Sequence, residues 1–181
     1  MSIIHCKTTL FSIGPWTIVR LPQDASAKLP SRGQTMVKGT INGVGLQTPL
    51  EPDGMGSHWF KIDKTLSKAI NAVAGDSVSL AIESTKDWPE PQVPADLQTA
   101  LAAAPQAHGL WAKITPMARW DWLRWIGSTK QADTRQHRIE VALSKLKAGS
   151  RRPCCFNRTV CTDPYISKNG VLIDSTQTNK R

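Results

Sequence analysis

The sequence predicts an α+β chain: a small N-terminal β-barrel of about six strands with one helix, followed by a C-terminal three-helix unit and a flexible tail. Three observations predict this. Residues 1–92 read as short strands broken by Gly, Pro and Asn, residues 87–94 hold three prolines, and beyond them apolar residues recur at helical spacing. The parts are delimited as residues 1–92, 93–155 and 156–181.

Residues 3–11 open the set of strands. Residues 16–21 alternate, with Trp16, Ile18 and Arg20 on one side and Thr17, Val19 and Leu21 on the other; this favours a strand without deciding its buried face, and Pro22 ends it. Residues 34–41 and 44–50 flank Asn42-Gly43, a pair that tolerates positive φ at both central positions of a type I′ hairpin turn. A second turn over residues 51–56 leads to a strand at 58–62, and Gly75-Asp76 precedes the last strand at 78–84. One helix interrupts them at residues 64–74, where Leu66, Ala69, Ile70 and Val73 share a face behind Asp63 as a cap. Closure into a barrel would remove the exposed edges of so small a sheet.

The prolines of 87–94 remove backbone donors and favour extended chain, which places the domain boundary there. Residues 95–104 are alanine-rich and end at Pro105, consistent with a first short helix. Thr115-Pro116 is an N-cap followed by an N1 proline, opening a second helix that runs to Ile126 and stops at Gly127. Asp133 and Gln136 form a start like a capping box for the third, whose Ile139, Ala142, Leu143 and Leu146 keep one face before Gly149 ends it.

Met36-Val37-Lys38-Gly39-Thr40-Ile41-Asn42-Gly43, then Gly75-Asp76-Ser77-Val78, resembles the uncharacterised β-barrel domain found in many bacterial proteins. Trp125-Ile126, Lys130, Thr134-Arg135 and Arg138-Ile139, ending at Gly149, resembles the YdeI/OmpD-associated family, often labelled bacteriocin-protection. The two resemblances cover about residues 6 to 155 and imply a barrel followed by helices. They imply no reaction, and no catalytic residue is carried over from them.

Charge narrows the partners. The 181 residues carry a net charge of +9, and it sits in the second half: nine Lys+Arg face eight Asp+Glu through Gln92, against eight and four over residues 93–149. No apolar run of about 18 residues occurs, and His5 and Lys7 interrupt the N-terminal stretch where a signal peptide would be apolar. The expectation is a cytoplasmic protein without membrane insertion. Cys154, Cys155 and Cys161 crowd into the tail with no CxxC spacing, so reduced thiols are expected, and neither a metal nor a cofactor is.

Two arginines fall on apolar helix faces. Arg135 lies on the stripe of Ile139 and Leu146, and Arg119 lies between Trp122, Leu123 and Ile126, whereas Arg138 and Lys145 point away from their stripe. A buried guanidinium needs an acidic, carbonyl or anionic partner, so Arg119 and Arg135 either join helices together or bind an anion. Trp111, Trp120, Trp122 and Trp125 crowd into fifteen residues; most should be core, with Trp120 on the opposite side of its helix and therefore partly exposed or packed on another element. Arg119, Arg135, Trp120 and Trp125 are thus the candidate ligand-binding residues, and no catalytic residue is assigned.

The leading expectation is a non-enzymatic binding or stress-tolerance protein whose barrel and helices form a cleft for a small anionic or apolar ligand, or for a protein partner. If both arginines end on protein carboxylates, the cleft version fails. The alternative is nucleic-acid binding, which needs Arg124, Lys130, Arg138, Lys145, Arg151 and Arg152 to share one surface.

Overall fold

In the computed structural model residues 2–129, 131–153, 165–166 and 171–173 are described. The chain divides into two units, Met1–Asp87 with Asn169–Arg181, and Trp88–Lys168.

The first unit is a curled seven-stranded sheet. Its strands are β1 (Ile4–Thr9), β2 (Phe11–Ile13), β3 (Trp16–Arg20), β4 (Thr35–Ile41), β5 (Val44–Pro52), β6 (His58–Ile62) and β7 (Ser77–Ser84), in the order β1-β7-β4-β5-β6-β3-β2 with antiparallel neighbours. The strand expected over residues 3–11 is therefore two. It bends at Leu10, so that β1 pairs with β7 while β2 pairs with β3, and the two ends of the sheet are successive pieces of one segment. Two backbone bonds hold the bend, Leu10 N donating to Asp76 O at 2.9 Å and Gly75 N to Leu10 O at 2.8 Å. Thr8 Oγ1 adds a third link across it, donating to Arg20 O at 2.7 Å. Covalent continuity thus does at this seam what a ladder of hydrogen bonds would do in a closed barrel.

The core of this unit gathers Leu10, Val19, Val37, Ile41, Leu50, Phe60, Leu80 and Ile82 from the concave face. Val19 faces it, yet Ile18 on the opposite face is also buried, which is why alternation alone could not name the inner side of β3. Asn42 and Gly43 both have positive φ, 47° and 80°, and close the β4–β5 hairpin at the Ile41–Val44 pair, as their residue types predict. The turn is also docked, because Asn42 Oδ1 accepts from Ser79 N at 2.9 Å.

Two helices interrupt the strands where one was expected. α1 (Gln23–Ser26) is a single turn, too short to leave a periodic signature. α2 (Lys64–Ile70) begins on Asp63, whose side chain accepts from Leu66 N, but ends four residues before the expected limit. Asn71 takes the left-handed conformation there, and Val73, expected on the apolar face, is exposed.

The second unit has four helices, not three: α3 (Ala95–Ala102), α4 (Pro105–Lys113), α5 (Pro116–Gly127) and α6 (Ala132–Lys147). Pro105 does not merely end a helix; it is the N1 residue of α4, where its missing N–H costs nothing. α6 begins behind Gln131, earlier than the expected cap at Asp133, and no side chain caps it. At its other end Gly149, at φ 90°, lets Gly149 N and Ser150 N return to the carbonyls of Leu146 and Lys145. Leu97, Leu101, Ala107, Trp111, Trp122, Ile126, Ile139, Ala142 and Leu146 form the core.

The α+β class and the order of sheet then helices match the expectation, while the strand count, the helix counts and the manner of barrel closure differ. Part of the expected flexible tail is ordered: Leu172 is buried and its N donates to Asp53 O at 3.0 Å. The remainder of that expectation falls outside the described residues.

Gly39 is the tightest point of the sheet. A Cβ on it would lie 2.0 Å from Ala81 O, and its φ of 152° is foreign to L side chains. Gly39→Ala is expected to cost about 3 kcal/mol or more in urea unfolding of the full chain. Gly45→Ala, with nothing within 4 Å of its Cβ, should stay within about 0.5 kcal/mol. Equal midpoints for the two variants would show that the close approach carries no weight.

Candidate functional site

Two arginines of the second unit, Arg119 and Arg138, sit where short helices leave carbonyls without partners. α4 has nine residues, so its last turn leaves carbonyls without intrahelical donors, at the buried Trp111 and the exposed Ala112. Arg119, projecting from α5, answers them: Nε donates to Trp111 O at 2.9 Å and Nη2 to Ala112 O at 2.9 Å. Its Nη1 donates to Glu90 Oε2, in the proline-rich segment ahead of α3. With its side chain 14% exposed, Arg119 joins α5, α4 and that segment at one point. Trp120 reinforces the attachment, its Nε1 donating to Pro89 O at 2.8 Å, so the ring is half-buried against the segment.

Arg135 forms a bidentate pair with Asp96 in the first turn of α3, Nε to Oδ2 at 2.6 Å and Nη2 to Oδ1 at 3.0 Å. Its hydrogen bond holds the Asp96 carboxyl below the usual carboxylate range, against a smaller upward push from burial. The carboxylate in turn raises the guanidinium. Arg119 and Arg135 therefore both end on protein carboxylates within the helical unit.

Arg138 does not point away into solvent. Its Nη1 donates to Trp125 O and to Ser128 Oγ, both at 2.6 Å, and its guanidinium lies 5.4 Å from the Trp125 ring centroid. It caps the carbonyl end of α5, where a cation is favoured by the helix dipole. Trp125 itself packs on the core and meets the fully buried Trp122 edge to face, with ring centroids 6.0 Å apart. Trp122 Nε1 donates to Arg151 O at 3.1 Å and so fastens the chain after α6.

Of the six cations that a nucleic-acid surface would need, Arg124 and Arg152 converge on Asp121, at 4.0 and 3.7 Å. Arg151 is exposed beside Arg152, Lys145 is half-buried in the last turn of α6, and Arg138 is turned onto α5. Lys130 lies outside the described residues, as do Cys154, Cys155 and Cys161. The acids that receive these arginines, Glu90, Asp96 and Asp121, were missed in the sequence. Asp96 and Glu90 stand 39 and 29 residues from their arginines, so only the fold pairs them, whereas the i,i+3 spacing of Asp121 and Arg124 on one helix was a signal the sequence did offer.

A second polar cluster lies in the sheet unit. His58 is fully buried, with Nε2 2.9 Å from Gly33 O and Nδ1 2.7 Å from Ser26 Oγ. A carbonyl only accepts, so Nε2 carries a proton. The neighbouring Asp53 accepts from Met55 N and Ser57 N and stands 3.5 Å from Arg20 Nε, while Ser57 Oγ donates to Leu21 O at 2.6 Å. This network pins the segment between β3 and β4 onto β6, and Ser26 and His58 are sealed from solvent by their burial. Burial, with the charge of Asp24, pushes the half-buried Cys6 thiol up, which lowers its nucleophilicity. Among the described residues no group of three His, Cys, Asp or Glu is placed to hold a metal ion, and no helix is long and apolar enough to cross a membrane.

Comparison with known proteins agrees with the resemblance read from the sequence. Residues 5–82 match a family described as a domain of unknown function, DUF1905, and residues 90–149 match one described as bacteriocin-protection, YdeI or OmpD-associated. A search of curated proteins finds no match.

The two arginine anchors should differ in weight. Arg119→Ala strands the part-buried Trp111 carbonyl, while that of the exposed Ala112 turns to water, and is expected to cost about 1–2 kcal/mol. Arg135→Ala breaks a pair whose members are 29% and 42% exposed, and screening limits its cost to about 1 kcal/mol or less. Because the folded Asp96 ionises below its unfolded value of about 3.9, the pair's contribution is complete above that pH. It is lost as pH falls through the folded value. Urea unfolding at neutral and acidic pH checks both: the Arg135→Ala deficit should shrink in acid, and a deficit that grows there would contradict the assignment.

Proposed function

The chain carries a DUF1905 domain followed by a YdeI/OmpD-associated domain, and on that premise we propose that it is a non-catalytic binding protein of antimicrobial or stress tolerance. It engages an anionic ligand or an acidic face of a protein partner through the cationic helical unit. The observation that carries the reading is the division of labour among the cations of that unit. Arg119, Arg135 and Arg138 are engaged on internal acceptors and make a rigid support, while Lys113, Lys147 and Arg151 stand exposed. Residues 88–168 hold twelve Lys+Arg against six Asp+Glu, so the exposed charge has an excess available to a partner. The family description supplies the physiological setting.

One observation favours nucleic acid as a second reading. Asp121 draws Arg124 and Arg152 together beside Arg151, which assembles part of a phosphate-binding patch. The same carboxylate weakens that patch, since a phosphate approaching it meets a negative charge between the two arginines.

Two measurements test the proposal. Expression of the chain in a bacteriocin-sensitive host should raise survival under challenge, and thermal shift of the purified protein should respond to anionic compounds or acidic peptides. Unchanged survival together with an unmoved melting temperature would overturn it. A shift produced by duplex DNA alone, abolished by Arg151→Gln with Arg152→Gln, would favour the second reading.

A further inference from the structure

We propose that an open groove between α4 and the end of α6 is a docking site for an acidic amphipathic segment of a protein partner. The inference deepens the reading of the chain as a binding protein, and it assigns that reading a place.

The groove has a cavity volume of about 510 Å³ and lies wholly within the helical unit. Gly109, Leu110 and Lys113 line it from α4, and Leu146, Lys147 and Gly149 from α6 and its terminus. The apolar part of the floor is Leu110, half-buried and packed over the core to which Leu146, 1% exposed, belongs. The lining includes two lysines and no acid. This combination of apolar floor and cationic rim is what an amphipathic segment requires if it buries one face and carries Glu or Asp along its flanks. Nucleic acid fits less well, since Leu110 and Leu146 give no ring on which a base could stack.

Gly109 supplies an independent argument. It lies inside α4, where glycine is about 0.5–1 kcal/mol less favourable than alanine. Close packing does not demand it, because a Cβ built there meets nothing within 4 Å, and no positive φ requires it. The spatial consequence of glycine at this position is that the groove stays open. A larger residue would fill the space in which a partner's side chain is proposed to sit. Lys113 and Lys147 lie in the last turns of their helices and complement the carbonyl ends there; that role does not call for both to flank one apolar groove.

The test uses the full chain and a labelled synthetic helix with Leu at i, i+3, i+4 and i+7 and Glu elsewhere, followed by fluorescence anisotropy. The wild type should bind it. Gly109→Trp, which fills the groove, should weaken binding about tenfold or more. The surface pair Lys113→Glu with Lys147→Glu should do the same, and circular dichroism and melting curves confirm that both remain folded. Lys64→Glu with Lys68→Glu, an equal charge change on α2, should bind as the wild type does.

Wild-type affinity in Gly109→Trp overturns the proposal, as does equal weakening by the α2 pair, which would mean non-specific attraction. Absence of peptide binding overturns it too. Displacement of the peptide by duplex DNA, lost in the same groove variants, would reassign the groove to nucleic acid. If groove variants lose the peptide without affecting bacteriocin survival, the groove fails as the working site while the broader reading stands. Peptide binding intact in a chain that confers no survival would do the reverse.

Discussion

Helices of eight, nine and twelve residues leave a large share of their carbonyls without intrahelical donor partners, and the second unit is built around satisfying them. Arginine suits the task because its planar fork reaches two or three acceptors at once. Arg119 covers the end of α4, Arg138 the end of α5, and Gly149 lets the chain after α6 fold back onto its own last turn. Arg135 performs the related service at the start of α3 through Asp96. Each of these crossings ties one element of the unit to another around the apolar core. The placement of Trp120, Trp122 and Trp125 follows from them, because two of their indole N–H groups and one backbone carbonyl enter the same set of bonds.

The sheet unit obeys a different constraint. Its strands must curl tightly enough to bury a core from few residues, and two positions permit this: Gly39, where β4 approaches the Ala81 carbonyl, and the bend at Leu10. The segment between β3 and β4, which includes α1, is then fastened to β6 by the contacts of Ser26 and Gly33 with His58. A buried polar network of this kind costs little only when every member has a partner, and the bonds of His58 meet that requirement at both ring nitrogens.

Much of this was legible in the residues themselves, and the failures are instructive. Asn42-Gly43, Asp63 and Thr115-Pro116 act locally, so their turn and caps could be read directly. Pro105 was ambiguous because a proline stops one helix by the same geometry that starts another. α1 and the bend at Leu10 escaped because each is shorter than the period that would reveal it. For the candidate site, the helical wheel set Arg119 and Arg135 on the apolar stripes of their helices but was silent on what they would meet. Glu90 and Asp96 lie far from them in sequence, in a linker and on another helix. Arg138 escaped because a long side chain can reverse the direction that its Cα implies. The open groove at Gly109 was invisible for a related reason: one of its walls comes from α4, over residues where no helix was expected.

The seam at Leu10 also bears on how the chain comes into being. Ile4–Thr9 leaves the ribosome ahead of the other strands of the sheet, yet its partner β7 ends at Ser84, with Ile4 opposite Ile82. Some seventy residues must therefore emerge before β1 finds its neighbour, whereas the β4–β5 hairpin and the β2–β3 pair can form at once. During that interval β1 is an unpaired strand beside a half-built sheet, the condition in which nascent chains associate wrongly. The alternation of buried and exposed residues along β1, with Lys7 among the exposed ones, limits what a stray strand could gain by pairing there.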